Sequence, residues 1–309
     1  MLTFALAALA PIAVLVALGL AVVGDGAARS PLTDLAGGTV APPDARGAQA
    51  AADREMALEG VDAFSIRFDD PPAAGIVFDL DSGEVLWRRN PLEQRAIASL
   101  TKVMTALVVA ERTKPGEQVR ITNTALRNVG SNVGVFKHGG RIRVDALMAG
   151  TLIPSGGDAA VALAVHVGKS RRAFVRLMNE RARELGLRCT RFSSPDGYES
   201  ANRSCAADLA ALARIAMRQR EISSIVRKPE AAPRAPVPGG RFYVYTTNPL
   251  LRSGYPGTIG LKTGFTRHAG LCLIGIVKRG RRTLGVVLLD SPDPGLQARA
   301  LLDRAFKDG

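Results

Sequence analysis

The chain has 309 residues and a formal net charge of +13; apolar residues make up 47% and charged residues 22%. That balance excludes an intrinsically disordered chain and is enough for one substantial domain, or two small ones, with a real core. The positive excess favours anionic surroundings, but only 5% of residues are aromatic and no basic run carries interleaved aromatics, which sets nucleic acid aside as a partner.

Residues 2–23 carry no charge and reach the length of a bilayer span. They fit a cleaved secretory signal or an uncleaved anchor in the cytoplasmic membrane. No Lys or Arg precedes the run and no small-x-small site directly follows it, which weakens the cleaved form. Either way the rest of the chain is expected to be exported, to the outer face of the cytoplasmic membrane, the periplasm or the cell wall. The domain organisation read from composition is a signal or anchor over 1–24, a flexible Ala-, Gly-, Asp- and Pro-rich tether over 25–62, and a folded domain over 63–309.

The domain opens with GIVFDLDSGEVLWRR, two β-rich runs flanking Asp81-Ser82-Gly83, which predicts a hairpin. Residues 100–112 predict a helix apolar on most sides (Val103, Met104, Leu107, Val108), hence a core helix. Asp158 is expected to cap the helix AAVALAVHV. Residues 171–185 place Phe174, Leu177, Met178 and Leu185 on one stripe, with Gly186 as the stop, and 206–219 predict another helix. A Pro-rich loop over 229–240 follows, then strands over GRFYVYTTN and IGLKTG. LCLIGIVKRGRRTLGVVLLD predicts a second hairpin around Lys278-Arg279-Gly280-Arg281, and 294–307 a closing helix. Strands first and last with helices between predict an α+β architecture: an antiparallel sheet built from both chain ends, with an inserted helical lobe.

Cys272 lies in an apolar run and reads as a buried small hydrophobe. Cys189 and Cys205 form a disulfide in an exported protein, or remain two thiols. His138, His166 and His268 have no metal-ligand spacing, so no metal is expected.

Three motifs carry chemistry: Ser99-Leu100-Thr101-Lys102, Ser155-Gly156-Gly157 and Lys262-Thr263-Gly264. Helical spacing puts Ser99 and Lys102 on one face. A serine hydroxyl needs a neighbouring base, and a lysine serves as one when burial or a second cation lowers its pKa. Lys262 would be that cation. The plain alternative makes Ser99 an N-cap and Lys102 a solvated first-turn residue. Ser155 can relay a proton, or simply sit in an interhelical turn. A cation and a hydroxyl at Lys262 and Thr263 can hold a carboxylate, and Gly264 lets another backbone approach. A substrate peptide can add to this strand, and the N–H groups of Ser99 and Phe265 can form an oxyanion hole. The plain alternative is an edge-strand lysine that guards against aggregation.

With these motifs, the stretches ASLTKVMTALVVAE, TLIPSGGDAAVALAVHVG, SPDGYESANRSCAADLA and NPLLRSGYPGTIGLKTGFTRHAGLCLIG resemble the low-molecular-mass penicillin-binding proteins, the serine-type D-alanyl-D-alanine carboxypeptidases. The resemblance covers about residues 70–306 and implies a transpeptidase/β-lactamase-like sandwich. It implies Ser99 as acylated nucleophile, Lys102 as its base, and Ser155 in the second motif. Lys262, Thr263 and Gly264 would bind the terminal carboxylate, and Phe265 would take the second oxyanion position. The implied reaction removes the terminal D-alanine of a peptidoglycan stem peptide without a cofactor, with β-lactams trapping the acyl-enzyme. A D,D-endopeptidase, or an impaired cell-wall-binding homologue, are the alternatives. The family's second motif usually ends in Asn, whose amide bonds substrate and lysine; here Gly157 has no side chain, so water or another residue has to substitute.

Overall fold

The structure is a computed structural model that describes residues 56–308. The expected signal or anchor over 1–24, and the expected tether as far as residue 55, lie outside the described residues. Among the described residues no helix is long and apolar enough to cross a membrane.

The frame is a five-stranded antiparallel sheet. Its strands are β1 (Ala74–Asp79), β2 (Val85–Arg89), β3 (Thr258–Thr266), β4 (Gly270–Arg279) and β5 (Arg282–Leu289), in the order β2-β1-β5-β4-β3. Both expected hairpins form, and the two chain ends meet where β1 pairs with β5, from Ala74 opposite Leu289 to Asp79 opposite Leu284. Successive side chains point to opposite faces. Ile76, Phe78, Ile274, Val287 and Leu289 therefore face the helical lobe. Val77, Leu273, Val286 and Leu288 face the closing helix α7 (Pro294–Asp308), which brings Ala298, Leu301, Leu302 and Ala305 to that side. A sheet covered on both faces needs apolar residues at every position of its inner strands, and β5 is buried throughout Thr283–Leu289.

The inserted lobe holds α1 (Lys102–Ala110), α2 (Val144–Leu152), α3 (Gly157–Gly168), α4 (Arg171–Glu184), α5 (Ala206–Arg218) and α6 (Arg220–Val226). Every residue of α1 from Lys102 to Val109 is buried, the polar Lys102 and Thr105 included. In α4 the buried positions are Phe174, Met178 and Ala182, and Ser170 caps the helix by accepting the Ala173 N–H at 3.1 Å.

Three expectations are corrected. Asp158 is not at the cap position, which Gly156 holds: its carboxylate accepts the neighbouring Ala159 N–H (2.8 Å) and, from outside the helix, the N–H groups of Val133 (2.8 Å) and Gly134 (2.9 Å). The last two donors belong to a loop that arrives only in the folded chain. GRFYVYTTN forms a strand only at Val244–Tyr245, against Glu230–Ala231. Its alternation persists, with Phe242 and Val244 buried and Tyr243 and Tyr245 exposed, and beyond the strand the pairing continues only as an antiparallel bridge between Arg234 and Arg241. Residues 56–62, read above as part of the tether, pack on the domain: Met56 is buried, Ala57 bridges to Glu84, and the Arg88 guanidinium holds the carbonyls of Leu58 and Gly60 and the Asp62 carboxylate.

Candidate active site

Ser99 lies in a single 3-10 turn, Ala98–Thr101, directly ahead of α1. Lys102, the first residue of α1, donates from Nζ to Ser99 Oγ at 2.8 Å and to the main-chain carbonyl of Asp196 at 2.5 Å. Ser99 Oγ donates to the same carbonyl at 3.4 Å. Lys102 is only 2% exposed, so it is not the solvated first-turn residue of the plain alternative. Burial among the apolar side chains of the lobe pushes its pKa down to about 8, opposed in part by the carboxylates of Asp196 and Asp158.

Lys262 extends from β3 and is 1% exposed. Its Nζ donates to Ser155 Oγ at 2.9 Å and to the Thr263 carbonyl at 2.8 Å. Burial holds its pKa well below the ordinary lysine range, and repulsion from Lys102 lowers it further. The expected help between the two cations therefore falls on Lys262. Lys102 keeps the compensation of two carboxylates; for Lys262 no carboxylate offsets the loss of water.

Ser155 sits between α2 and α3 with φ at +69°, a left-handed conformation that costs a non-glycine residue about 1 kcal/mol or more. Thr263 Oγ1 shares a 2.5 Å hydrogen bond with Thr247 Oγ1. A Cβ on Gly264 would stand 2.9 Å from the Ile97 carbonyl and 3.1 Å from the Ser99 nitrogen, so the glycine lets the Ser99 turn press onto β3. Phe265 is 63% exposed and pairs across the ladder with Leu271.

Ser99, Ser155, Thr263 and Phe265 open onto one cleft of about 470 Å³, lined also by Ser131 and Leu271, with Lys102 and Lys262 buried behind the two serines. β3 is an edge strand of the sheet, so a peptide can add along it. A larger cavity of about 780 Å³ lies between α2, α6 and the 231–241 segment and holds no nucleophile paired with a base.

Three contributors carry no motif of their own. The Asp196 carbonyl is delivered by the loop after α4, and Pro195-Asp196-Gly197 is its only local signal, a turn. The other two are Thr247 and the loop carrying Asn128, Ser131 and Asn132. Cys189 and Cys205 are joined by a disulfide across the base of the Asp196 loop, with Cα atoms 5.6 Å apart and a sequence separation of 16. Asp208 accepts the Cys189 N–H and the Thr190 hydroxyl, both at 2.7 Å. The same two sulfurs and Asp208 form the one close group of metal-ligand types among the described residues, and sulfurs bonded to each other are not available to a metal.

An antiparallel sheet from both chain ends, a helical lobe and a Ser-Lys pair facing a second lysine on the edge strand define the DD-transpeptidase fold. The crystal structure of a D-alanyl-D-alanine carboxypeptidase from Mycobacterium tuberculosis H37Rv superposes with a TM-score of 0.74 at 31% identity, covering 81% of this chain and 96% of that one. The Streptomyces K15 DD-transpeptidase superposes at 0.73 with 28% identity, covering 79% of this chain and 100% of that one. The profile of the peptidase S11 family, D-alanyl-D-alanine carboxypeptidase, matches residues 71–293. The chain belongs to that family and is a homologue of the low-molecular-mass penicillin-binding proteins. It is 33% identical to the D-alanyl-D-alanine carboxypeptidase DacF of Bacillus subtilis over 242 residues, 75% of this chain and 61% of the relative. The match thus spans less than two thirds of that relative's length. A D-alanyl-D-alanine endopeptidase of Pseudomonas aeruginosa is 32% identical over 245 residues, 74% of this chain and 78% of the relative.

Proposed function

We propose that this protein is a serine-type D-alanyl-D-alanine carboxypeptidase that removes the terminal D-alanine from peptidoglycan stem peptides through an acyl-enzyme on Ser99. The observation that carries the reading is the 2.8 Å contact between Ser99 Oγ and the desolvated Nζ of Lys102. With a pKa of about 8, roughly a tenth of Lys102 is neutral at pH 7. The neutral amine takes the Ser99 proton as Oγ attacks the carbonyl carbon of the penultimate residue. The N–H groups of Ser99 and Phe265 receive the oxyanion. Collapse breaks the C–N bond, and the leaving amine takes, by way of Ser155, the proton that Lys102 had received, which leaves Lys102 neutral again. A water then attacks the ester carbonyl, Lys102 accepts its proton, and the proton passes to Ser99 Oγ as the C–O bond to the enzyme breaks.

Lys262 and the Thr263 hydroxyl hold the substrate's terminal carboxylate. That anion offsets the burial and the Lys102 repulsion that depress the Lys262 pKa. The site of action is outside the cytoplasmic membrane, a reading supported by the Cys189–Cys205 disulfide, since such bonds persist in oxidising compartments. Residues 2–23 serve for export or anchorage.

Intact-mass analysis after treatment with a penicillin tests the proposal. One adduct on the peptide containing Ser99, absent from Ser99→Ala, is expected; an unmodified wild-type protein overturns it. The Pseudomonas relative favours one second reading, cleavage of D,D cross-links. On purified muropeptides, release of free D-alanine supports the carboxypeptidase, and splitting of cross-linked dimers supports the endopeptidase.

A further inference from the structure

Gly157 is the first residue of α3 and does not have a left-handed backbone, so its conformation suits any residue. What excludes a side chain is the space in front of it. A Cβ on Gly157 would be driven into Nδ2 of Asn128, and would stand 2.9 Å from the Ser131 carbonyl and 3.4 Å from Oδ2 of Asp196. The residue that fills this space is 7% exposed, and its amide has defined partners: Asn128 Nδ2 donates to the Val129 carbonyl at 3.1 Å and to Asn132 Oδ1 at 3.2 Å. Asn132 closes the network. Its Oδ1 also accepts the Asp158 N–H at 3.0 Å, and its Nδ2 donates to the Asn128 carbonyl at 2.9 Å. The Gly157 N–H donates to the Ser131 carbonyl at 2.5 Å.

The segment 128–132 is therefore clamped to the first turn of α3 by the N–H groups of Gly157 and Asp158, and the Asn128 amide, bonded within the segment, packs where a side chain at 157 would stand. That turn continues directly from Ser155, which receives Lys262, and the clamp sets Ser131 in the cleft wall. The far side of the same space is bounded by the carboxylate of Asp196, whose main-chain carbonyl holds Lys102.

We infer that Asn128 is a positioning residue of the Ser99 site and that Asn128 and Gly157 are a matched pair, the amide occupying the volume that residue 157 leaves empty. The inference rests on the acyl-enzyme reading given above. The expected deficiency at Gly157 is thus met by a residue about thirty positions upstream, and adding a side chain at 157 harms the site rather than completing it.

The test compares wild type, N128A, G157N and the double variant by the rate and stoichiometry of labelling with a fluorescent penicillin, together with the thermal midpoint. Each single change is expected to slow acylation about tenfold or more while labelling still reaches one adduct per chain, which separates a displaced site from an unfolded fraction. The double variant is expected to label faster than either single one, within about threefold of wild type, so that G157N slows acylation with Asn128 present and speeds it with N128A. If G157N leaves the protein unfolded, G157A replaces it: its lone Cβ meets the same amide, and the same reversal with N128A is expected. Simple additivity, or G157N acylating as fast as wild type, overturns the pairing. A wild type that takes no label instead fails the acyl-enzyme reading, and the positioning role falls with it.

Discussion

In the proposed mechanism the ionisation of Lys102 sets the pH dependence of the first chemical step. Burial moves its pKa from 10.5 to about 8, a free-energy cost of about 3 kcal/mol for the charged form. The neutral fraction is then about a tenth at pH 7, half at pH 8 and nine tenths at pH 9. An unshifted lysine would be neutral in only about one molecule in three thousand at pH 7. The second-order acylation constant is therefore expected to rise about fivefold from pH 7 to 8 and less than twofold from pH 8 to 9. The assay is the time course of labelling by a β-lactam with no group titrating in that range. Lys102→Arg keeps a cation that does not deprotonate, and is expected to abolish labelling. The same shift acts on stability. Between about pH 8 and 10.5 the unfolded chain binds a proton on this group and the folded chain does not, so stability rises with pH across that window. The penalty is fully present below pH 8, and Lys102→Met should gain up to about 3 kcal/mol there, less its lost hydrogen bonds, in denaturant unfolding at pH 7. A rate that climbs tenfold per unit beyond pH 9, or that is flat from pH 6 to 9, refutes the reasoning.

Two further outcomes follow from the same site. Because the pKa of Lys262 is depressed by burial and by Lys102, a ligand carboxylate seated on it restores its charge. Binding of a D-alanyl-D-alanine peptide to Ser99→Ala should then be accompanied by proton uptake, read by calorimetry over a range of pH in buffers of different ionisation enthalpy; equal heats in all buffers at every pH refute it. Removing the disulfide with Cys189→Ser and Cys205→Ser opens a loop with a sequence separation of 16 and should cost about 3 kcal/mol in thermal unfolding. It should also slow acylation, since the loop carries Asp196; an unchanged midpoint and rate would refute both expectations.

Much of this arrangement is legible in the residues, because the legible parts are local. Alternating apolar runs around Asp81-Ser82-Gly83 and Lys278-Arg279-Gly280-Arg281 announce the hairpins, and helical spacing alone brings Ser99 and Lys102 to one face. The illegible parts depend on distant segments. Asp158 has the composition of a cap, yet tertiary N–H donors take its carboxylate. The acceptor that holds Lys102 lies 94 positions away and is a main-chain carbonyl, a group every residue type possesses. The empty side chain at Gly157 reads as a loss until Asn128 is seen in its space.

The partner of Lys102 at residue 196 has an evolutionary consequence. No exchange of the amino acid at that position can delete a peptide oxygen, so the anchorage of the amine is insensitive to the commonest kind of genetic error. Its vulnerability lies in the route of the chain: an insertion, a deletion or an altered bend at Pro195 or Gly197 moves the oxygen away from the amine. Drift in this part of the protein should accordingly preserve length and curvature more strictly than the identity of the residue itself.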